Sequence, residues 1–134
     1  MKIRHPVRIY VILTENLRIA MLQELTKQLK SMERDLDEIA WRKKQMDNLP
    51  GNEAELEKDK LYAEQKRIQD LRLKNLQRQK EVAELPLGTE LPHSTVEAEI
   101  DLQVGDIYEE RINPQIILED GRIVAIRNSE RREV

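Results

Sequence analysis

The 134-residue chain contains no cysteine and no phenylalanine. Without cysteine there is no disulfide framework, no thiolate nucleophile and no sulfur-ligated metal site. Aromatic residues are scarce: Tyr10, Trp41, Tyr62 and Tyr108 are the whole set. Glycines are also few, and Gly51, Gly88, Gly105 and Gly121 each sit in a turn context rather than in a phosphate-cradling loop. No run approaches the ~20 apolar residues that span a bilayer. The apolar stretch Val7 to Leu13 is short and is interrupted by Arg8 and Tyr10, unlike a secretory segment. A cytoplasmic chain without membrane contact is the expectation.

What is abundant is charge: Asp, Glu, Lys and Arg make up 37% of the residues, with a formal net charge of −3. Such a composition favours long solvated helices over a thick core. Residues 14–85 carry 15 basic and 15 acidic side chains, so the acidic surplus lies elsewhere, mainly after Pro86. Bulk charge therefore makes no electrostatic case for nucleic acid.

The dominant pattern is a stripe with alternating steps of three and four: Leu22, Leu25, Leu29, Met32, Leu36, Ile39, then Lys43 and Met46. Those are the a and d positions of a coiled-coil seam. Thr14 suits the N-cap of this helix, with Glu15 in the first turn. The stripe stops at Asn48-Leu49-Pro50-Gly51-Asn52, where Pro50 disfavours helix and Gly51 permits a left-handed turn. Asn52 and Glu55 read as the start of a second helix, which runs to Leu85 before Pro86. Each helix would be about 50 Å long.

A tight antiparallel hairpin pairs residues whose numbers add to a constant, here expected near 101. On that register Met46 meets Leu56, Ile39 meets Tyr62, Met32 meets Ile68, Leu29 meets Leu71, Leu25 meets Leu76 and Ile19 meets Val82. Leu36 and Leu22 would face Gln65 and Gln79, leaving the seam partly polar.

The flanking segments alternate with period two. Val7, Ile9, Val11 and Leu13 form one apolar face, and Val96, Ala98, Ile100 and Leu102 another, with Glu97, Glu99 and Asp101 opposite. Ile116 to Leu118 and Ile123 to Ile126 flank Glu119-Asp120-Gly121-Arg122, a hairpin signal. Leu87 to Leu91 reads as a further short strand. The predicted class is α+β: a long antiparallel two-helix coiled-coil hairpin inserted into a small β-rich base, barrel-like or a curled sheet. Residues 1–13 supply the first β segment, 14–85 the hairpin with its turn at 49–52, 86–128 the rest of the base and 129–134 a frayed tail.

The order of these features resembles the YlqD family of bacterial proteins. The resemblance lies in Leu13-Thr14-Glu15, the long charged helices, Leu87-Gly88-Thr89-Glu90-Leu91-Pro92, Val104-Gly105-Asp106 and Glu119-Asp120-Gly121-Arg122-Ile123-Val124-Ala125-Ile126-Arg127. It supports the architecture and implies no activity, cofactor or catalytic residue.

Candidate chemistry is sparse. His5 and His93 sit near the outer ends of the β segments, where a neighbouring pair is conceivable, but nothing around them suggests a metal or acid–base site and exposed loop histidines are the expectation. Glu97, Glu99 and Asp101 share a strand face that reads as solvated rather than as a cation site. No set of nucleophile, base and orienting group is present, so no enzyme and no cofactor are expected. The cluster Trp41, Arg42, Lys43 and Lys44 is the candidate partner-binding site, because Trp41 falls opposite the seam beside three cations. A second basic run comprises Arg72, Lys74, Arg78 and Lys80. The expected function is a non-enzymatic interaction or assembly protein, presenting the hairpin from its β-base to an unidentified protein partner. Its half-polar seam and small base also point to a homo-oligomer. The alternative is an RNA- or ribosome-associated accessory factor, disfavoured by the neutral hairpin.

Overall fold

The computed structural model describes residues 1–48 and 51–128. The elements run β1 (Lys2–Ile12), α1 (Glu15–Met46), α2 (Asn52–Glu84), β2 (Glu90–Asp101), α3 (Tyr108–Arg111), β3 (Pro114–Glu119) and β4 (Arg122–Asn128). This is the expected α+β arrangement, with two long helices between the first and second strands. The expected frayed tail at 129–134 and part of the turn at 49–52 lie outside the described residues. Gly51, which is described, has φ 122°, the left-handed geometry expected of it. The chain divides into two compact units, Met1–Arg18 with Leu85–Val134, and Ile19–Glu84.

In the first unit the four strands form one mixed sheet in the order β2-β1-β3-β4. β1 and β2 pair antiparallel from Lys2↔Asp101 to Ile12↔Glu90, with a bulge at Ile9/Tyr10. β1 and β3 run parallel, and β3 and β4 form the antiparallel hairpin read from Asp120-Gly121. Asp120 at φ 48° and Gly121 at φ 83° both take the positive φ that such two-residue turns require.

Because paired residues share a face, the register sorts the side chains. Ile3, Val7, Ile9 and Val11 of β1 lie with Val96, Ile100, Ile116 and Leu118 on one face. Tyr10 and Ile117 lie on the other. Val7 and Ile117, on opposite faces, are both buried, as is Leu13 just after β1.

The sheet is open, so the barrel alternative is not formed. Glu90 and Arg127 belong to the two edge strands, and their side chains pair at 3.0 Å. A strand at Leu87–Leu91 is not formed either. Gly88 has φ 91°, and its N–H donates to the Leu13 carbonyl while Leu13 N–H donates to Thr89 O, both at 2.8 Å. That reciprocal pair turns the chain, and β2 starts at Glu90. Pro92 is tolerated within β2 because this strand is at an edge.

Thr14 ties the start of α1 to the sheet. Its Oγ1 accepts from Leu17 N–H at 3.1 Å, the expected cap, and donates to Asp120 Oδ1 at 2.7 Å. One hydroxyl thus satisfies a free helix N–H and holds the β3–β4 turn. Arg18, one turn later, donates to the Leu85 carbonyl.

Candidate functional site

In the second unit, burial along α1 recurs at Leu22, Leu25, Leu29, Met32, Leu36, Ile39, Lys43 and Met46. The whole predicted stripe, its lysine included, is the inward face. On α2 the less exposed positions are Ala54, Lys58, Leu61, Gln65, Ile68, Arg72, Asn75, Gln79 and Val82. This set corrects the expected register. Leu56, Tyr62, Leu71 and Leu76 are exposed by 63%, 62%, 37% and 37%, and Ile19 by 48%. Three long side-chain contacts follow this set, Lys58–Asp47 at 2.8 Å, Arg72–Glu33 at 3.9 Å and Lys43–Gln65 at 2.9 Å, all joining residue numbers that add to more than 101, while the shorter Asn75 side chain reaches the Leu25 carbonyl just below that value.

The physical reason is that hydrophobic identity misleads on α2. Lys, Arg and Gln carry aliphatic stems that cover a seam while their heads reach its edge. All four of the amphipathic residues just named, Lys58, Lys43, Arg72 and Gln65, do so and find partners on the opposite helix. The seam also buries one short polar group. Asn75, 5% exposed, donates to the Leu25 carbonyl at 3.0 Å and accepts from Gln79 at 2.7 Å. Its signal was present in the sequence as the seven-residue series Leu61, Ile68, Asn75, Val82.

The tip cluster does not act as a single patch. Trp41 lies opposite the seam and is 61% exposed, as its position predicts. Arg42 is paired with Glu38 at 2.7 Å. Lys43 turns inward, donating to Gln65 and lying 5.5 Å from the Tyr62 ring centroid, a cation–π contact. Lys44 is exposed and has no ion-pair partner among the described residues. Beside the tip, the Asp47 carboxyl is held below its ordinary value, first by the hydrogen bond from Lys58 and then by that lysine's charge.

The two flanks of the hairpin differ. One carries ion pairs within single helices: Arg42–Glu38, Lys60–Glu57, Arg67–Glu64 and Arg78–Glu81. The other carries the cross-helix contacts Lys43–Tyr62, Arg72–Glu33 and Lys58–Asp47. On this second flank Tyr62, Leu73 and Leu76 of α2 and Ile19 of α1 are exposed. A groove of about 530 Å³ opens along α1 there, lined by Ile19, Leu22, Gln23, Thr26, Lys27, Lys30 and Arg34.

The other candidates separate. His5 pairs across the sheet with Ala98, whereas His93 sits at the bulge beside Ile9 and Tyr10. Four to five residues of strand, about 15 Å, part the two rings, so they are not neighbours. Each makes a local contact, His5 Nδ1 with Pro6 O and His93 Nδ1 with Ser94 Oγ. Glu97, Glu99 and Asp101 point outward, and the register sets Arg4 across from Glu99 and Lys2 across from Asp101. Opposite charges on neighbouring strands stabilise that face without a metal. Among the described residues no three His, Asp or Glu side chains converge as metal ligands. No described helix is long and apolar enough to cross a membrane.

With this geometry in hand, comparison with known proteins is informative about kinship. A solved structure of a protein of unknown function from Synechococcus sp. WH 8102 shares the fold, with a TM-score of 0.70 at 17% identity, covering 94% of this chain and 93% of that one. The uncharacterized protein YlqD of Bacillus subtilis (strain 168) is 27% identical over 128 residues, 95% of this chain and 98% of its relative. A family model described as "YlqD protein" matches residues 1–127, from the first strand through β4. Strand, capped helical hairpin and returning strands are thus one inherited unit, and the chain belongs to the YlqD family.

Proposed function

We propose that the protein is a non-enzymatic interaction protein whose hairpin tip contacts a protein partner through Trp41. One observation carries this reading: the chain's single tryptophan is 61% exposed on the outer face of α1, opposite the seam. An indole in water contributes little to the helix that bears it. Buried in a partner's pocket it removes a large apolar area from solvent, which is why tryptophan is enriched among residues that dominate interfaces. Lys44 and the Glu38-paired Arg42 lie beside it and would guide an acidic rim during approach. The buried or bridging side chains of Asn75, Gln79, Thr14 and Asp120 are engaged in holding the fold.

An RNA-associated role would draw on the same indole for base stacking. Two of the four cations in the second basic run are matched, Arg72 by Glu33 and Arg78 by Glu81. Such pairing weakens the field offered to phosphates.

The test is native capture from the source cells with the full chain and with Trp41→Ala. The expected result is a specific protein lost from the variant by tenfold or more, while the far-UV spectrum and melting curve stay within about 0.5 kcal/mol of the parent. Capture that is abolished by nuclease and falls steeply with salt would move the reading to RNA. Loss of helix in Trp41→Ala, or unchanged capture, would overturn it.

A further inference from the structure

We propose that the protein partner met by Trp41 presents an acidic amphipathic helix, which lies along the outer face of α1 from the tip towards the start of that helix. The inference rests on the reading of Trp41 as a contact residue and names the chemistry of what it contacts. Lys27, Lys30, Arg34, Asp37, Trp41 and Lys44 follow one another in steps of three and four, so they form one row on α1, away from the seam. All six are exposed. The row is about 26 Å long at 1.5 Å per residue. At its far end lies the groove of about 530 Å³, where Ile19 and Leu22 adjoin Lys27, Lys30 and Arg34.

Charge selects the occupant. None of the four cations in the row has a carboxylate partner among the described residues, whereas Arg42, outside the row, is matched by Glu38. Asp37 within the row and Glu24 beside it are the unpaired carboxylates on this part of α1. On α2, along the same flank, Lys66 and Lys80 stand against Glu55 and Asp59, so the balance of unpaired charge stays positive. Unmatched cations beside an apolar groove are complementary to a helix with carboxylates on one stripe and aliphatic side chains on the next. Such a helix carries its carboxylates at the same three- and four-residue spacing. It seats apolar side chains against Ile19 and Leu22 and closes an apolar pocket over Trp41. A phosphate backbone would meet the cations but leave Ile19 and Leu22 in water, with a single indole to stack on. An anionic bilayer would have to take in Asp37 along with Trp41.

The single tryptophan supplies the assay. A synthetic helical peptide with Glu and Leu on adjacent stripes is titrated into the full chain while Trp41 emission is followed. The emission should move to shorter wavelength and saturate. A peptide of the same composition, with its glutamates spread over all faces, should bind about tenfold more weakly. The double variant Lys30→Glu with Arg34→Glu should weaken binding about a hundredfold, because two attractions become repulsions. Its far-UV spectrum should not change, since both side chains lie outside the seam. If that variant loses helix, Lys30→Gln with Arg34→Gln gives the same test, with a loss of about tenfold. Arg67→Gln, on the ion-paired flank, should bind as the parent does. Equal binding of the two peptides, binding indifferent to both double variants, or a tighter complex with single-stranded RNA or phosphatidylserine vesicles would overturn the proposal. Native capture separates this failure from that of the tip contact. A partner lost from Trp41→Ala but kept by the charge-reversed variant removes the acidic helix and leaves the tip contact standing.

Discussion

Removing the Thr14 hydroxyl should destabilise the protein more than its partly exposed position suggests. That one group accepts from Leu17 N–H and donates to Asp120 Oδ1. Thr14→Val keeps the shape and removes both bonds. Loss of an N-cap costs about 1 kcal/mol. A hydrogen bond to a carboxylate is worth about 1.5–3 kcal/mol when sheltered. Asp120 is exposed, so water replaces much of this and about 0.5–1 kcal/mol is the appropriate share. The sum, about 1.5–2 kcal/mol, corresponds to a fall of about 5–7 °C in melting temperature for a chain of this length. Thr14→Ser should stay within about 0.5 kcal/mol of the parent, because it retains both roles. Asp120 adds a second arm. At φ 48°, Asp120→Gly relieves about 1 kcal/mol of left-handed strain while losing the bond, so it should be close to neutral. In a double-mutant cycle, Thr14→Val and Asp120→Gly should couple by about 0.5–1 kcal/mol. Coincident melts for Thr14→Val and Thr14→Ser, or a coupling of zero, would refute the two-sided role.

Two further predictions concern the hairpin. Asn75→Ala should lower stability by about 1–2 kcal/mol in urea melts, since it strips the bonds to Leu25 O and Gln79. Asn75→Leu should recover or exceed parental stability while reducing amide protection around residue 25, because a buried Asn fixes register at a cost in stability. The Asp47–Lys58 pair should show in acid: the Asp47 carboxyl is lowered from its ordinary value of 3.8, chiefly by the Lys58 hydrogen bond. Its contribution is therefore present above the ordinary carboxyl value and lost as pH falls through the lowered one. Circular dichroism titrations of Asp47→Asn and of Lys58→Met should each lack that acid limb, and a full limb in either variant would exclude this pair as its source.

Much of the fold could be read from residue pattern because the relevant signals are local. The stripe from Leu22 to Met46 uses apolar side chains at nearly every inward position, so periodicity and burial coincide. Thr14, Gly51 and Asp120-Gly121 declare themselves through backbone chemistry that few other residues supply. The strands alternate because one face of each is apolar. Sheet order was not legible: the parallel β1–β3 pairing joins segments about a hundred residues apart, and nothing in either segment names its partner.

The register of α2 shows where pattern reading fails and why that failure bears on function. Seeking leucines and tyrosines to face the apolar stripe of α1 selects Leu56, Tyr62, Leu71 and Leu76, all exposed. The helix instead turns Lys58, Gln65, Arg72, Asn75 and Gln79 inward, because their stems cover the seam and their heads find cross-helix partners. A helix that seats polar residues in its seam while leaving Leu73 and Tyr62 in water spends its apolar side chains outside the hairpin. The same arrangement lowers the hairpin's own packing energy and leaves Tyr62, Leu73 and Leu76 exposed on its outer surface. Incomplete internal pairing and an available outer face are then one property of the sequence. Trp41, off the seam near the tip, follows the same logic on α1. The most exposed large side chains of the hairpin are therefore where contacts beyond the chain should be sought, and the polar seam is where its register is set.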